Sequence, residues 1–239
     1  MSPLEPDHLL YAIGDLHGRA DLLLRAIEKI LAEAHQSPPE VVFLGDYIDR
    51  GGEARATLAA LVEVARLREI RPIFLKGNHE AMLLNFLADP VAEARWLRVG
   101  GLETLLSFGI GAYETTSEPE LARIADELRP AIAPFLSFIE GLKPYHLSGN
   151  LLCVHAGADP ARAPQRQRPE TLLWGHPEFE KIPRQDGLWV VHGHRVIDAP
   201  RVERGRIAID TGAYLSGILT MLKADPGAEP EFVSLTLAG

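Results

Sequence analysis

Residues 9–18 read Leu-Leu-Tyr-Ala-Ile-Gly-Asp-Leu-His-Gly, residues 41–51 read Val-Val-Phe-Leu-Gly-Asp-Tyr-Ile-Asp-Arg-Gly, and residues 73–80 read Ile-Phe-Leu-Lys-Gly-Asn-His-Glu. Each is an apolar run of strand character that stops at a glycine followed by a side chain able to bind metal. Between them lie two longer patterns. Residues 21–35 place Leu23, Ile27, Ile30, Leu31 and Ala34 on one face, with Arg25, Glu28, Lys29 and Glu33 elsewhere, before Pro38-Pro39 breaks the pattern. Residues 54–68 repeat this with Leu58, Leu61, Val62 and Ala65. These are amphipathic helices. Strand, helix, strand, helix, strand in succession implies βαβ units and a parallel sheet.

Outward from this core the pattern changes twice. Residues 81–141 read as helical, with breaks near Gly100-Gly101, Gly109–Gly111 and Pro130, and are expected to form a helical insertion over one sheet edge. The C-terminal half carries strand-like runs at 151–154, 188–191, 206–209, 218–222 and 232–237 with little helix between them. A second sheet packed on the first follows, giving an α/β fold of mixed type. Its expected architecture is a four-layer α-β-β-α sandwich forming a single domain over residues 1–239. Residues 158–169, rich in Pro, Arg and Gln, are expected as a surface loop.

The chain has 239 residues, 46% hydrophobic and 24% charged, which excludes a disordered, collagen-like or coiled-coil chain. Its formal net charge of −9 argues against nonspecific polyanion binding, which relies on clustered Lys and Arg. A substrate with one or two phosphates stays compatible, because bound metal ions can invert the local field. The single cysteine, Cys153, lies in an apolar run and reads as a buried hydrophobe rather than a reactive thiol. No secretory leader and no run of the roughly 20 apolar residues a membrane helix needs are visible, so a cytoplasmic protein with no membrane partner is expected.

Two further strand ends complete the chemistry: Val154-His155-Ala156-Gly157 and Val191-His192-Gly193-His194. In open α/β sheets ligands bind beyond the carboxyl ends of strands, and glycine permits close backbone approach there. Asp15, His17, Asp46, Asn78, His155 and His194 are six oxygen and imidazole donors. Such a set suits Mn, Fe, Zn or Ni, and six donors fit two ions that share a carboxylate better than one catalytic ion.

The series Gly-Asp-Leu-His-Gly, Gly-Asp-Tyr-Ile-Asp-Arg-Gly, Gly-Asn-His-Glu, His-Ala-Gly and Gly-His resembles the calcineurin-like metallophosphoesterase superfamily. Within it the series is similar to the short bacterial members of the phosphoprotein phosphatase branch. The resemblance implies that Asp15 and His17 hold the first metal, that Asp46 bridges both, and that Asn78, His155 and His194 complete the second. It also implies Mn as the first choice of metal. A metal-bridging hydroxide would attack phosphorus, His79 would be the general acid oriented by Asp49, and Arg50 would bind phosphate oxygens. Glu80 is expected to cap the following helix, and His192 to have a core or supporting role. Trp96, Gly100 and Gly101 resemble a motif near the substrate cleft, with a core Trp and a helix-ending Gly pair as the equal reading. Asp210 either supports the His194 loop or forms a plain turn.

The chain departs from that pattern at two places. Relatives mostly carry Thr or Gln after the last metal His, where this chain has Arg195. They also carry a second phosphate-binding Arg near the position of His176, which follows Leu172-Leu173-Trp174-Gly175 here. Arg195 and His176 are therefore expected as substrate-binding residues, Arg195 as the replacement clamp or paired with a surface acid such as Asp198. The activity implied is a metal-dependent phosphomonoesterase acting on phosphorylated protein at serine or threonine, or on a small phosphorylated substrate. The alternative is a hydrolase of diadenosine tetraphosphate or another nucleotide polyphosphate at the same site. A nucleic-acid phosphodiesterase is disfavoured by the net charge and by Val196, and a noncatalytic scaffold by the full set of donors. No oligomeric state is implied.

Overall fold

The computed structural model describes residues 3–115 and 117–237, so residues 1, 2, 116, 238 and 239 of the expected single-domain span lie outside the described residues. The chain runs β1 (Leu10–Ile13), α1 (Ala20–Ala32), β2 (Glu40–Phe43), α2 (Ala54–Val64) and β3 (Arg71–Phe74). Helices α3 (Asn78–Ala88), α4 (Gly101–Ser107) and α5 (Glu118–Glu140) follow, with a 3-10 helix (Ala94–Val99) between the first two. Then come β4 (Tyr145–Ser148), β5 (Leu151–Val154), α6 (Pro169–Trp174), β6 (Trp189–His192), β7 (Arg201–Glu203), β8 (Arg206–Ala208), α7 (Ala213–Ser216), β9 (Leu219–Ala224) and β10 (Glu231–Leu235).

Two five-stranded sheets form, in the orders β10-β9-β1-β2-β3 and β4-β5-β6-β8-β7. Strands β1, β2 and β3 are parallel, as are β5, β6 and β8, while β9, β10, β4 and β7 pair antiparallel. Strand alternation explains the layering. On β1, Leu10 and Ala12, with Leu222 of the neighbouring β9, face Cys153, Val191 and Ile207 of the second sheet, while Tyr11 and Ile13 face the helices with Leu23, Ile27 and Leu58. On β5, Leu152 and Val154 face outward to Leu172 and Phe179. Helix, sheet, sheet and helix therefore stack in that order, the last layer being the short α6 and its loops.

The sequence expectations need three corrections. The runs at 218–222 and 232–237 become β9 and β10 and return to the first sheet, beside β1, rather than joining the second. Strand β9 is almost fully buried and so carries no periodic mark of which sheet takes it, and β10 follows it as its antiparallel edge partner. Strands β4 and β7 were not anticipated; both are short antiparallel edges, and β7 is exposed along its length. Helix α5 continues through Pro130 and Pro134. Both prolines lie on its exposed face. The carbonyls they leave unpaired can be solvated there, while the buried stripe of Leu121, Ile124, Leu128, Ile132 and Ile139 continues past them.

The parallel strands all point their carboxyl ends to one edge. The loops there are laced by backbone bonds: the Leu16 and His17 N–H groups both donate to the Asp46 carbonyl, at 3.1 and 2.8 Å, and Gly193 N–H donates to the His155 carbonyl at 2.8 Å.

Leu222 lies between the two sheets and is fully buried. Leu222→Ala should lower stability by about 2–5 kcal/mol in urea unfolding. A loss below about 1 kcal/mol would show that the sheets do not enclose this side chain.

Candidate metal centre

Asp46 follows β2 at the turn and is 1% exposed. Its Oδ2 faces three imidazole nitrogens: His155 Nε2 at 3.3 Å, His17 Nε2 at 3.5 Å and His79 Nε2 at 3.9 Å. Its Oδ1 accepts the His79 backbone N–H at 3.1 Å. One carboxylate oxygen thus carries a backbone amide, and the other is the hub of the cluster. Donor atoms of His17, Asp46 and His79 lie within 4.8 Å of one another, as do those of Asp46, His155 and His194. Asn78 Oδ1 meets His155 Nε2 at 2.9 Å, and Asp15 Oδ2 accepts the His194 N–H at 3.0 Å. The strand-end residues Asp15, His17, Asp46, Asn78, His79, His155 and His194 are thus brought to one place.

This density has a backbone cost, and it falls at the site. Among the described residues, five of the six non-glycine residues with positive φ are His17, Asp46, Asp49, Arg50 and His194; the sixth is Arg204 in the β7–β8 turn. Such strain persists only where the surroundings enforce it. Glycine supplies the remaining room. A Cβ on Gly77 would lie 2.0 Å from Asp46 Oδ1, and one on Gly193 would lie 1.9 Å from Asp15 Oδ1.

Glu80 caps α3 by accepting the Gly77 N–H at 3.0 Å, but it does more than cap. Its carboxylate also accepts the N–H groups of Asp46 and Tyr47 at 3.0 and 2.8 Å. The loops after β2 and β3 are thereby tied through one side chain. Burial, followed by the Asp46 charge, pushes Glu80 up to about 7, against the pull of those amides.

The donors show how the buried charge is shared. Burial opposes ionisation of Asp46, yet His155 and His79 hold it well below the usual carboxylate range. His155 rises to about 10 despite burial, because Asp46 and then Asp15 face it. His17 falls to about 3, chiefly by burial, with His79 and Arg50 adding repulsion. His194 falls to about 4 through burial and the neighbouring His155. Nδ1 of His17 and of His155 lies 2.8 and 2.9 Å from the carbonyls of Ile48 and Leu44, which fixes Nδ1 as the protonated nitrogen and turns Nε2 to the hub.

Asp15 is raised well above its ordinary value by burial and by Asp210. Its Oδ1 is the single buried side-chain polar atom with no hydrogen-bond partner among the described residues. An orphaned carboxylate oxygen beside a second carboxylate, with imidazole Nε2 atoms turned towards the same place, is what a divalent ion would satisfy. The residues present fit a divalent-metal site.

Beside the hub, His79 Nδ1 donates to Asp49 Oδ2 at 2.6 Å. Burial would lower His79, but Asp46 and then Asp49 raise it. Asp49 is held in turn by the Trp96 indole N–H at 2.8 Å and the Thr104 hydroxyl at 2.6 Å. Trp96 is thus both a core residue and a site residue. Gly100 and Gly101 allow this contact: a Cβ on Gly100 would meet the Arg50 nitrogen at 2.6 Å, and one on Gly101 the Trp96 ring at the same distance. Thr104, in the first turn of α4, belongs to no motif and enters the site only through this contact with Asp49. Arg50 donates from Nη1 to His17 Nε2 at 3.2 Å and lies 5.2 Å from the centre of the Tyr214 ring, a second residue the sequence did not flag.

His192 is a core residue, lowered to about 4 by burial and packed edge-on to Phe179. Asp210 both turns and supports: its Oδ1 accepts the Gly212 N–H, and its carbonyl accepts the Ile197 N–H at 2.9 Å. Cys153 is buried and its thiol is raised by burial. Two expected substrate contacts are not brought in. Arg195 pairs with Glu180 at 2.5 Å on the surface, neither in the cleft nor on Asp198. His176 accepts the Glu178 N–H at Nδ1 and approaches Asp159 to 3.8 Å. Loop side chains beyond a strand end are not bound by the pleat, so sequence spacing did not set their direction.

No described helix is long and apolar enough to cross a membrane. The chain is 27% identical over 246 residues to the asymmetrical bis(5'-nucleosyl)-tetraphosphatase PrpE of Halalkalibacterium halodurans, covering 93% of this chain and 92% of that protein. It is 28% identical over 232 residues to PrpE of Bacillus subtilis, covering 87% of each. A protein serine/threonine phosphatase structure from Saccharomyces cerevisiae aligns over 100% of this chain and 84% of its own, with a TM-score of 0.60. Its identity is 16%, so that likeness speaks for the fold alone. The family model described as calcineurin-like phosphoesterase matches residues 8–218, and with the metal-competent cluster in place the chain belongs to that family of metal-dependent hydrolases.

Proposed function

We propose that the protein hydrolyses a dinucleoside polyphosphate, bis(5'-nucleosyl) tetraphosphate first among them, at a two-metal centre. The observation that carries this reading is the near full-length match to chains named for that activity. Hydrolysis of phosphorylated serine or threonine ranks below it, since its structural support is a likeness in fold. In this reading Asp15, His17, Asp46, Asn78, His155 and His194 hold two divalent ions, Mn first, with Fe, Zn or Ni as alternatives. Bound there, the ions would supply a water of lowered pKa and positive charge opposite the phosphoryl oxygens. We place the activity in the cytoplasm and in a single domain over residues 1–239, with residues 81–141 as its helical insertion.

The chain's own side chains take three tasks. Arg50, on the rim beside His17, donates to nonbridging phosphate oxygens through its fork. His79 holds a proton for the leaving oxygen, and its contact with Asp49 fixes which nitrogen faces the hub. Trp96 and Thr104 keep the Asp49 carboxylate in one orientation by occupying both of its oxygens.

The direct test offers diadenosine tetraphosphate and a phosphoserine peptide with Mn and separates the products. AMP and ATP should form with kcat/KM at least about tenfold above peptide dephosphorylation. The reverse ranking would restore the protein phosphatase reading. Chelation should abolish both activities, and added Mn should restore them.

Asp46→Asn is nearly isosteric and should leave the fold intact by circular dichroism. It should lower hydrolysis by about 100-fold or more and bound metal by elemental analysis, because the hub loses its charge. Near wild-type activity and stoichiometry would remove Asp46 from the centre.

His79→Asn should cost about 10²–10⁴-fold on an alkyl phosphate, whose leaving oxygen is strongly basic. The loss on an aryl phosphate or a phosphoanhydride should be far smaller, because those oxygens leave with little proton help. Thr104→Val should show a weaker effect with the same bias. Equal losses on all three substrates would take His79 out of the acid role.

A further inference from the structure

The hub is flanked by two cation–aromatic pairs. On one side Arg50 lies against Tyr214 next to His17. On the other, the Trp174 ring meets His194 edge-on, with centroids 6.2 Å apart and planes at 89°, and the Arg95 guanidinium lies 5.6 Å above the Trp174 ring. Trp174 closes α6, whose Leu172 carbonyl accepts the N–H of Ala156, directly after His155. It is 43% exposed, whereas Leu172 on the same helix is 3% exposed. Arg95 precedes Trp96, the residue that holds Asp49. The 3-10 helix thus turns one side chain into the site and its neighbour out over the rim. Arg95 pairs with Glu93 at 2.6 Å, but its side chain stays 64% exposed.

We infer that Trp174 is the platform on which a nucleobase of the substrate stacks beside His194, with Arg95 moving from the ring onto the polyphosphate. The inference rests on the nucleotide reading above and names what makes the site prefer a nucleotide. An indole held edge-on against a candidate metal ligand places a stacked base within a few bonds of the phosphorus to be attacked. The exchange is favourable in direction. A base on an aromatic face is held more strongly than an exposed cation is, and the displaced guanidinium gains phosphate oxygens as partners. Arg95 would then provide the second cation that Arg195 and His176, turned elsewhere, do not.

The test compares inhibition of p-nitrophenyl phosphate hydrolysis by ATP and by inorganic tripolyphosphate at matched free Mn. The two inhibitors share a phosphate chain and differ in the nucleoside. In the wild type ATP should bind about tenfold more tightly, the scale of one base stack on an aromatic ring. In Trp174→Ala this ratio should fall towards one, and in Trp174→Phe most of it should remain. Because the ratio is taken within each variant, changes in turnover cancel. Arg95→Ala should weaken both inhibitors by a similar factor. A wild-type ratio near one, or a ratio unchanged in Trp174→Ala, overturns the platform; unchanged binding of both inhibitors in Arg95→Ala overturns the clamp. Whether the wild type splits diadenosine tetraphosphate is read separately. Failure there with the ratio intact removes the dinucleotide reading and leaves the base platform standing.

Discussion

The site depends on the burial of one carboxylate. Asp46 is out of water, and an isolated charge there would cost several kcal/mol even after relaxation. The chain offsets that cost with three imidazoles around Oδ2 and an amide on Oδ1. It cannot do the same for every acid nearby. Asp15, Glu80 and Asp210 are also buried, and each is pushed upward. Glu80 has backbone amides as partners, whereas Asp15 keeps one oxygen with none. The centre is therefore short of positive charge, and the shortfall sits between the carboxylates. A fold that gathers acids in this way is arranged for cations rather than for its own stability.

The same constraint explains the local backbone. Placing Asp46 under three rings requires loops to approach more closely than side-chain atoms allow. The chain answers with Gly77 and Gly193 where a Cβ would collide with a carboxylate, and with left-handed residues at His17, Asp46, Asp49, Arg50 and His194. Glu80 keeps these turns from relaxing by binding the amides of both loops at once. Rigidity here comes from hydrogen bonds to backbone, so the donors need little reorganisation to receive a ligand.

Most of the donor set was legible in the sequence because strand ends are punctuated: an apolar run, a glycine, then a donor. The alternating βα pattern of the first half was legible for the same reason. Periodicity was silent on sheet membership, so β9 and β10 were assigned to the wrong sheet although they were identified as strands. It was also silent on partners that come from distant loops. Thr104 and Tyr214 carry no local mark, and each matters only because tertiary packing sets it against Asp49 or Arg50. Pro130 misled in the opposite sense: it removes a backbone donor and crowds the preceding turn, but on the exposed face of α5 the continuing buried stripe outweighs that cost. Arg195 and His176 show a further limit. A residue's place beside a motif gives its distance along the chain, but Glu180 and the Glu178 amide decide where these side chains lie.

A centre of this type acts on the phosphoryl group, which phosphopeptides, nucleotides and simple esters share. In the proposed reading Asp46, its imidazoles and His79 would meet only what is common to these substrates, and so would not choose among them. Discrimination has to come from groups that meet the part of the substrate beyond the phosphorus. In this chain those are the rim residues, and the rim is asymmetric. The Tyr214 side is tied to Arg50 and His17, while the Trp174 side is open and carries Arg95, which pairs with Glu93 but keeps most of its side chain in solvent. A flat aromatic surface with an exchangeable cation suits a planar base attached to a phosphate chain better than it suits a peptide backbone, which needs amide partners along an extended groove. The hub would thus serve any phosphoryl group, and the rim is where a preference for a nucleotide, proposed on the likeness to the tetraphosphatases, would be expressed.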